Sequence, residues 1–230
     1  HRRIDGLIMV PSFIYQSKNA QKTLADLLKQ RIPIVGMMSD LSNIDLNIDR
    51  VVSDYRDATL EIMTQLLALE HRRIGFVYGI AMANLGEDRL SAYRDSLRDA
   101  GLPVDPALIA HCGPTIEDSY QATLQLLQLP DPPTALLAIN DLLAVGALRA
   151  IYDSKLTVPQ DVSLFGYDDI PLAQYLVPRL STASKDGKKT GREAVRLLLT
   201  RLQNPKLARQ EIRLPASVIL RESIGPAPAR

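Results

Sequence analysis

The stretch Val162-Ser163-Leu164-Phe165-Gly166-Tyr167-Asp168-Asp169-Ile170 joins a strand signal to a pair of carboxylates. It begins as a short apolar run rich in residues that favour β-structure, which is typical of a strand buried on both faces. The run ends at Gly166, and two aspartates follow. In an open α/β sheet, ligands bind beyond the carboxyl ends of the strands, where a carboxylate suits a hydroxyl-rich ligand. Alternatively, Asp168 or Asp169 only caps the next turn.

The rest of the chain alternates strand and helix patterns in the same way. Short apolar runs predict strands, and segments with apolar residues at helical spacing predict the helices between them. The predicted strands are residues 4–10, 32–38, 50–53, 73–79, 107–110, 134–139, 162–166, 211–214 and 218–222. The predicted helices are residues 19–30, 56–69 and 187–202, with others opened by Glu87, by a Thr115/Asp118 capping box and by Asn140. This alternation predicts an α/β fold with a mostly parallel sheet.

Composition narrows the class of protein. The 230 residues are 46% hydrophobic and 23% charged, which is ordinary for a soluble globular protein. The net charge of +1 gives this segment no electrostatic footprint for nucleic acid. Cys112 is the only cysteine, which excludes an internal disulfide and agrees with a reducing compartment. No apolar run reaches the length of a transmembrane helix, and the start at His1 suggests a piece of a longer chain.

Motifs for catalysis, cofactors and metals are missing from the sequence. It contains no glycine-rich phosphate or dinucleotide loop, no H-E-x-x-H and no G-x-S-x-G. The three histidines, His1, His71 and His111, are far apart, and we predict no cofactor and no metal site. His71 stands beside Arg72 and Arg73, which favours a solvated helix end.

Polar residues recur just past the predicted strands. These residues are Ser12, Ser39, Asp40, Asp54, Asn84, Asn140 and Asp168. Together they predict a cleft that binds a hydroxyl-rich ligand, because no nucleophile–base pair stands among them to carry out a reaction. Each position alone is weak evidence, since loops are polar in any case, and Asn140 would also make a good helix N-cap.

Several segments resemble the lactose/galactose repressor (LacI/GalR) family. Leu69-Glu70-His71-Arg72-Arg73-Ile74-Gly75-Phe76 is similar to that family's L-G-H-R-R-I-A/G segment. Residues 158–169 resemble its V-P-x-D-(V/I)-S-(apolar)-G-Y/F-D-D pattern, and residues 133–147 resemble its P-T-A-(apolar)-N-D-x-x-A-x-G pattern. Residues 89–102, 180–194 and 214–223 carry further matches. The set covers nearly the whole chain in the family's order.

The resemblance implies a periplasmic-binding-protein-like fold with two parallel-sheet lobes joined by three chain crossings and a ligand between them. Residues 1–73 with 186–214 would form a partial N-terminal lobe, and residues 74–185 with 215–230 the C-terminal lobe. Members of the family carry an N-terminal helix-turn-helix that binds operator DNA. The resemblance implies that this head, and the first strand–helix unit of the first lobe, are absent from these 230 residues.

The family's effector contacts map onto individual positions. The resemblance implies that Arg89 reaches the sugar hydroxyls, that Asn140 supplies an amide and that Asp168 supplies the first carboxylate of the Y-D-D pattern. Asp54 matches an acidic position on the other lobe, with Asp57 as the alternative under a shifted alignment. Asp169 is then assigned to the turn rather than to the ligand.

Three positions depart from the family pattern. Pro114 replaces an aromatic residue that stacks on the ligand, and Glu70 replaces a glycine that ends a helix. Lys185 stands where glutamine is common, and its charge either favours an acidic or phosphorylated sugar or pairs with Asp54 or Asp186. The predicted effector-binding residues are Arg89, Asp168, Asn140, Asp54, Lys185, Asn84, Ser12 and Pro114.

The resemblance implies a sugar-responsive transcriptional regulator that acts as a cytoplasmic homodimer, without enzymatic activity and without contact to a membrane. A sugar-like effector would shift the angle between the lobes, and operator DNA would be bound only by the helix-turn-helix. A periplasmic sugar receptor of a transporter is the alternative with the same fold. An α/β enzyme is a third hypothesis, which no nucleophile or cofactor motif supports.

Overall fold

The computed structural model describes residues 4–10, 18–39, 48–79 and 86–229. The chain divides into two compact units. Unit 1 comprises residues 1–54 and 185–215, and unit 2 comprises residues 55–184 and 216–230. Each unit contains a sheet dominated by parallel strands, so the α/β class predicted from the sequence is confirmed.

Unit 1 contains a four-stranded parallel sheet with helices on its faces. The strands, in sheet order, are β1 (Leu7–Met9), β2 (Ile34–Ser39), β3 (Asp49–Asp54) and β9 (Glu211–Pro215). Helices α1 (Lys18–Lys29) and α6 (Gly187–Gln203) belong to the same unit. Alternate strand residues point to opposite faces, so Ile34 joins a core cluster with Leu24 of α1, and Val35 joins another with Leu197 of α6.

Unit 2 is built on a six-stranded sheet. The strands, in sheet order, are β10 (Ser217–Ile219), β8 (Ser181–Ser184), β7 (Ser163–Tyr167), β6 (Ala135–Ala138), β4 (Ile74–Gly79) and β5 (Ile109–Cys112). The helices are α2 (Arg56–Ala68), α3 (Glu87–Asp99), α4 (Ile116–Leu127) and α5 (Asp141–Asp153). Among the described strands of this sheet, only β10 runs antiparallel to its neighbour.

The order of the strands in unit 2 reverses around β4. The chain passes from β4 outward to β5 and then crosses back to β6 on the other side of β4. All residues of β4, β6 and β7 are buried, so the centre of the sheet is covered on both faces. A crevice for a ligand is expected at the carboxyl ends of the strands at this reversal.

Local signals in the sequence define several helix ends. The predicted capping box is confirmed: the Asp118 N–H donates to Thr115 Oγ1 over 3.1 Å, and the Thr115 N–H donates to Asp118 Oδ2 over 3.1 Å. Gly101 follows α3 with a φ of 69°. Glu70 follows α2 with a φ of 68°, which is the left-handed conformation that favours glycine there.

The first boundary between the units lies earlier than the sequence suggested. Helix α2 was placed with the N-terminal lobe, yet the chain divides between Asp54 and Tyr55. The reason is packing: Ile62 and Leu66 on the buried face of α2 belong to the same core cluster as Phe76 of β4. The other two boundaries follow Ser184 and Pro215, beside the predicted positions.

The expectation that His71 is a solvated helix end was wrong. The imidazole is completely buried, and its two ring nitrogens lie 2.9 Å from Thr134 Oγ1 and 2.9 Å from the Gly225 carbonyl oxygen. Burial lowers the pKa of His71 from its ordinary value. The side chain therefore ties the end of α2 to the C-terminal segment.

The short strand β8 was not predicted because its sequence, Ser-Thr-Ala-Ser, is polar. Ser181 and Thr182 are nevertheless buried, because distant residues satisfy their hydroxyl groups. Among the described residues, no helix has the length and apolar character needed to cross a membrane.

Candidate ligand-binding site

Several predicted site residues follow parallel strands of the unit 2 sheet. Pro114 comes after β5, Asn140 after β6 and Asp168 after β7. Because these strands are parallel, their carboxyl ends lie along the same edge of the sheet. Pro114 is exposed there and offers no aromatic surface.

Arg89 lies in the first turn of α3 and is buried, with 4% of its surface exposed. Its Nη1 donates to the Ile139 carbonyl oxygen over 2.7 Å, which joins the loop after β6 to the helix after β4. Its Nε lies 3.5 Å from Asp88 Oδ1, but neither atom has a hydrogen-bond partner among the described residues. Burial disfavours its charge, yet Asp88, Tyr55 and Asp168 hold the pKa of Arg89 above its ordinary value.

Tyr55 connects Arg89 to Asp168. Its hydroxyl donates to Asp168 Oδ1 over 2.7 Å, and the Arg89 guanidinium carbon lies 4.6 Å from the centre of its ring. The same guanidinium lies 5.3 Å from the ring centre of Tyr167. Burial and the neighbouring carboxylate of Asp168 raise the pKa of Tyr55, so its hydroxyl stays protonated and serves as a donor.

The sequence reasoning missed Tyr55. The sequence feature that could have indicated it is the position of an aromatic residue directly after Asp54 and directly before α2. Nothing in the local pattern predicts that its ring is fully buried against residues more than 30 positions away.

The two aspartates after β7 have different surroundings. Asp168 is partly exposed, and its N–H donates to the Ala183 carbonyl oxygen over 2.8 Å. Asp169 accepts from Arg221 Nη2 over 2.6 Å. Both residues have positive φ angles, 108° and 52°, which L-amino acids rarely adopt. Asp169 is thus held by an ion pair, and Asp168 presents its carboxylate beside Tyr55.

Asp141 is a second residue that the sequence reasoning missed. Its Oδ1 accepts from Thr182 Oγ1 over 2.6 Å, and its Oδ2 accepts from the Ile170 N–H over 2.9 Å. Burial raises the pKa of Asp141 to about 6, and the charges of Asp168 and Asp169 act in the same direction. The adjacency of Asn140 and Asp141 in one motif was the signal, but only the first residue was assigned to the site.

The N-cap alternative for Asn140 is confirmed. Its Oδ1 accepts from the Leu143 N–H over 2.8 Å at the start of α5. The cap engages the amide oxygen, so a ligand at this edge would meet the amide nitrogen instead.

The remaining predicted residues lie elsewhere in the chain. Asp54 is the last residue of β3 in unit 1, where its Oδ2 lies 3.6 Å from Arg213 Nη1. Lys185 is exposed at the start of the second segment of unit 1, and Asp186 beside it caps α6 by accepting from the Lys189 N–H. Ser12 and Asn84 fall outside the described residues.

Comparison with known proteins places this architecture in a class. The family model described as "Periplasmic binding protein-like domain" matches residues 63–224. The ribose operon repressor of Haemophilus influenzae is 32% identical over 97% of this chain, which spans 65% of that repressor. The chain is therefore a periplasmic binding protein-like domain.

Solved structures narrow the class further. A regulatory protein of the LacI family from Chloroflexus aggregans is 30% identical, with a TM-score of 0.82 over 96% of this chain and 77% of that one. A LacI family transcriptional regulator from Enterococcus faecium, solved with bound ribose, is 28% identical, with a TM-score of 0.83 over 97% of this chain and 80% of that one. The chain belongs to the LacI family, as its sequence motifs predicted.

Proposed function

We propose that this chain is the effector-binding part of a LacI-type transcriptional regulator and that unit 2 binds a sugar or sugar derivative at the carboxyl edge of its sheet. One observation carries the proposal. The buried cation Arg89 lies over the ring of Tyr55, whose hydroxyl donates to the Asp168 carboxylate, and these groups follow strands at or next to the reversal of strand order. This is the place where an α/β sheet is expected to hold its ligand.

The chemistry of this edge suits hydroxyl groups. Asp168 already accepts a hydroxyl hydrogen from Tyr55 over 2.7 Å, which is the geometry that a sugar hydroxyl needs. Arg89 carries only donors, and its Nε is unpartnered among the described residues. In the proposal, Arg89 donates to sugar oxygens, Asp168 accepts from sugar hydroxyls and the Asn140 amide nitrogen donates. Asp54, Lys185, Asn84, Ser12 and Pro114 are proposed as further contacts.

The proposed role in the whole protein is regulatory rather than catalytic. The relatives named above are a repressor and regulators, which favours a transcriptional regulator over a periplasmic receptor. The effector would shift the population of two conformations, and a DNA-binding head would read that shift at an operator in the cytoplasm.

A homodimer is part of the proposal, and an apolar surface of unit 2 supports it. Val145, Leu148, Tyr152, Val177 and Pro178 line a groove of about 520 Å³. Tyr152 and Val177 are 68% and 91% exposed. Contiguous apolar surface of this kind is typical of protein interfaces, and a second copy of the chain is the proposed occupant.

The test is a thermal-shift series with D-ribose, D-galactose, D-glucuronate and D-ribose 5-phosphate. We expect at least one sugar to raise the Tm of the wild type, and to fail to raise that of Asp168→Asn, which keeps the size of the side chain but loses its charge. If Lys185 selects an anion, the last two sugars should stabilise the protein more than the first two. Equal shifts in wild type and Asp168→Asn would refute the assigned site.

A further inference from the structure

The turn that presents Asp168 is held from beneath by a buried carboxylate. Asp141 is 1% exposed. One of its oxygens accepts from the Ile170 N–H over 2.9 Å, two residues after Asp168, and the other accepts from the Thr182 hydroxyl over 2.6 Å. The Asp169 N–H lies 3.4 Å from that same Thr182 oxygen. Asp141 therefore ties the turn after β7 to the neighbouring strand β8.

The backbone of this turn needs such support. Asp168 and Asp169 are consecutive non-glycine residues with φ angles of 108° and 52°. Conformations of this kind persist only where surrounding contacts over-determine them. Here the contacts at the two ends are the Asp168 N–H to the Ala183 carbonyl and the Ile170 N–H to Asp141.

The Asp141 carboxylate lies so close to Gly166 that no side chain fits there. A Cβ atom at Gly166 would lie 2.2 Å from Asp141 Oδ1 and 3.3 Å from the Asp141 Cα. Strand β7 therefore requires glycine at this position for Asp141 to reach the turn. Gly166 of strand β7 and Asp141 at the start of α5 therefore approach each other closely, although they are distant in the sequence.

We propose that Asp141 is a positioning residue for the effector site: its carboxylate fixes the strained turn that aims the Asp168 carboxylate at the ligand. This inference rests on the proposed function, because Asp168 is the group proposed to bind the effector. Asp141 itself is buried and accepts from the backbone N–H of Ile170, so in this proposal it acts on the effector only through the turn.

The surroundings of Asp141 suit a neutral side chain such as asparagine as well as they suit a carboxylate. Asp168 and Asp169 face it from the turn, Thr182 faces it from β8, and Arg221 is paired with Asp169. Burial raises the pKa of Asp141 to about 6, so its charge is costly where it lies. Asparagine has the same shape, can accept from the Ile170 N–H and can donate to the Thr182 hydroxyl.

Amide hydrogen exchange on peptides that cover residues 163–176 tests the anchor without any ligand. In Asp141→Ala we expect the turn amides to exchange about tenfold faster or more, because the Ile170 N–H loses its acceptor. Asp141→Asn should restore protection close to that of the wild type. Peptides of β4 should be unchanged in both variants, which separates a local loosening from unfolding. Gly166→Ala should reproduce the local effect with Asp141 still present.

Asp161 supplies a matched control. Its Oδ2 accepts from the Thr157 N–H over 2.8 Å and from Thr157 Oγ1 over 2.6 Å, so it also accepts from one backbone N–H and one threonine hydroxyl, in a different, exposed turn. Asp161→Ala should leave exchange at residues 163–176 unchanged. Turn exchange in Asp141→Ala that equals the wild type, or that is matched by Asp161→Ala, overturns the proposal.

Binding measurements complete the test. With the sugar that gives the largest Tm shift in the wild type, Asp141→Ala should weaken binding about tenfold or more, while Asp141→Asn and Asp161→Ala should bind within about threefold of the wild type. A loosened turn with unchanged affinity overturns the positioning role. If none of the four sugars shifts the wild-type Tm, the proposed function fails, and the exchange result alone decides whether Asp141 fixes the turn.

Discussion

Two arginine–aspartate arrangements in this molecule differ in how many of their polar atoms form hydrogen bonds. In unit 1, Arg201 donates through Nε and Nη2 to the two oxygens of Asp49, each over 2.8 Å, and also donates to the carbonyl oxygens of Leu207 and Ala208. In unit 2, Arg89 donates to one carbonyl oxygen, and its Nε has no hydrogen-bond partner among the described residues.

The difference separates a pair whose polar atoms are engaged within the fold from the arginine that is proposed to bind the ligand. Asp49 and Arg201 line a cavity of about 710 Å³, yet their polar atoms are occupied by each other and by the backbone. Arg89 instead packs against the rings of Tyr55 and Tyr167, and a ring face does not accept the guanidinium N–H groups as a carboxylate does. A cavity lined by charges is thus weaker evidence of a site than a buried donor that forms no hydrogen bond among the described residues.

Asp49→Ala should have the largest effect on stability. It removes the acceptor of two Arg201 hydrogen bonds and of the Gln210 N–H, and because a hydrogen bond to a charged group contributes about 1.5–3 kcal/mol, the loss should be at least about 3 kcal/mol. Urea unfolding measures the loss. Asp26→Ala, which breaks the exposed pair with Lys29, is the control and should cost less than about 0.5 kcal/mol. Equal losses in the two variants would show that the Arg201 contacts are dispensable.

The carboxylates of the two units should respond to pH in opposite senses. Burial raises the pKa of Asp49, but its bonds to Arg201 and Gln210 bring it below the ordinary value, so its stabilising contribution is present above about pH 4 and is lost as the pH falls below that. The folded pKa of Asp141 is raised to about 6, so its contribution is present below about pH 4 and is lost as the pH rises through 6.

The variant Asp141→Asn isolates that second contribution. Between pH 4 and pH 7 the wild type should lose on the order of 2–3 kcal/mol of unfolding free energy relative to Asp141→Asn, because the variant has no charge to bury. Urea unfolding at pH steps across this window provides the measurement. Parallel pH curves for the two proteins would contradict the raised pKa.

Arg89→Met should lower stability by about 1–2 kcal/mol, less than Asp49→Ala, because Arg89 makes fewer hydrogen bonds and methionine keeps much of its packing against Tyr55 and Tyr167. The same variant should lose the sugar-induced rise in Tm completely. Asp49→Ala should keep that rise if it remains folded. Retained sugar binding in Arg89→Met would end the distinction between the two arginines.

The smallest expected effect is that of Tyr55→Phe. It removes one hydrogen bond to Asp168, which is partly exposed and can be hydrated, so the stability should fall by less than about 1 kcal/mol. The ring over Arg89 remains. Since the Tyr55 hydroxyl occupies the acceptor that a sugar hydroxyl would use, we expect affinity to rise by up to about tenfold. Titration calorimetry with the sugar that shifts the Tm measures the change, and weaker binding would assign Tyr55 a direct role in holding the ligand.

Local patterns were sufficient for much of the fold. The alternation of apolar runs and amphipathic segments predicted the α/β class, because each element must bury one stripe or both faces. The Thr115 and Asn140 caps could be read directly, since a cap depends on residues three positions apart. The strand-end positions of Asn140 and Asp168 followed from the same alternation.

Contacts between distant residues decided what local patterns did not contain. The buried His71 ring contacts the carbonyl oxygen of Gly225, which is 154 residues away, and the Tyr55 hydroxyl donates to Asp168, which is 113 residues away. The polar strand β8 can be buried because the Arg221 N–H donates to the Ser181 hydroxyl and the Thr182 hydroxyl donates to Asp141. The boundary after Asp54 reflects the packing of α2 against β4.

The sequence by itself therefore determined the class of fold, the family and the edge of the sheet at which polar residues gather. The tertiary structure alone decided which neighbours hold those residues and brought in two unpredicted residues, Tyr55 and Asp141. The physical reason is that secondary structure follows from periodicity within a few residues, whereas burial, pKa and hydrogen-bond satisfaction depend on partners that only the folded chain brings together.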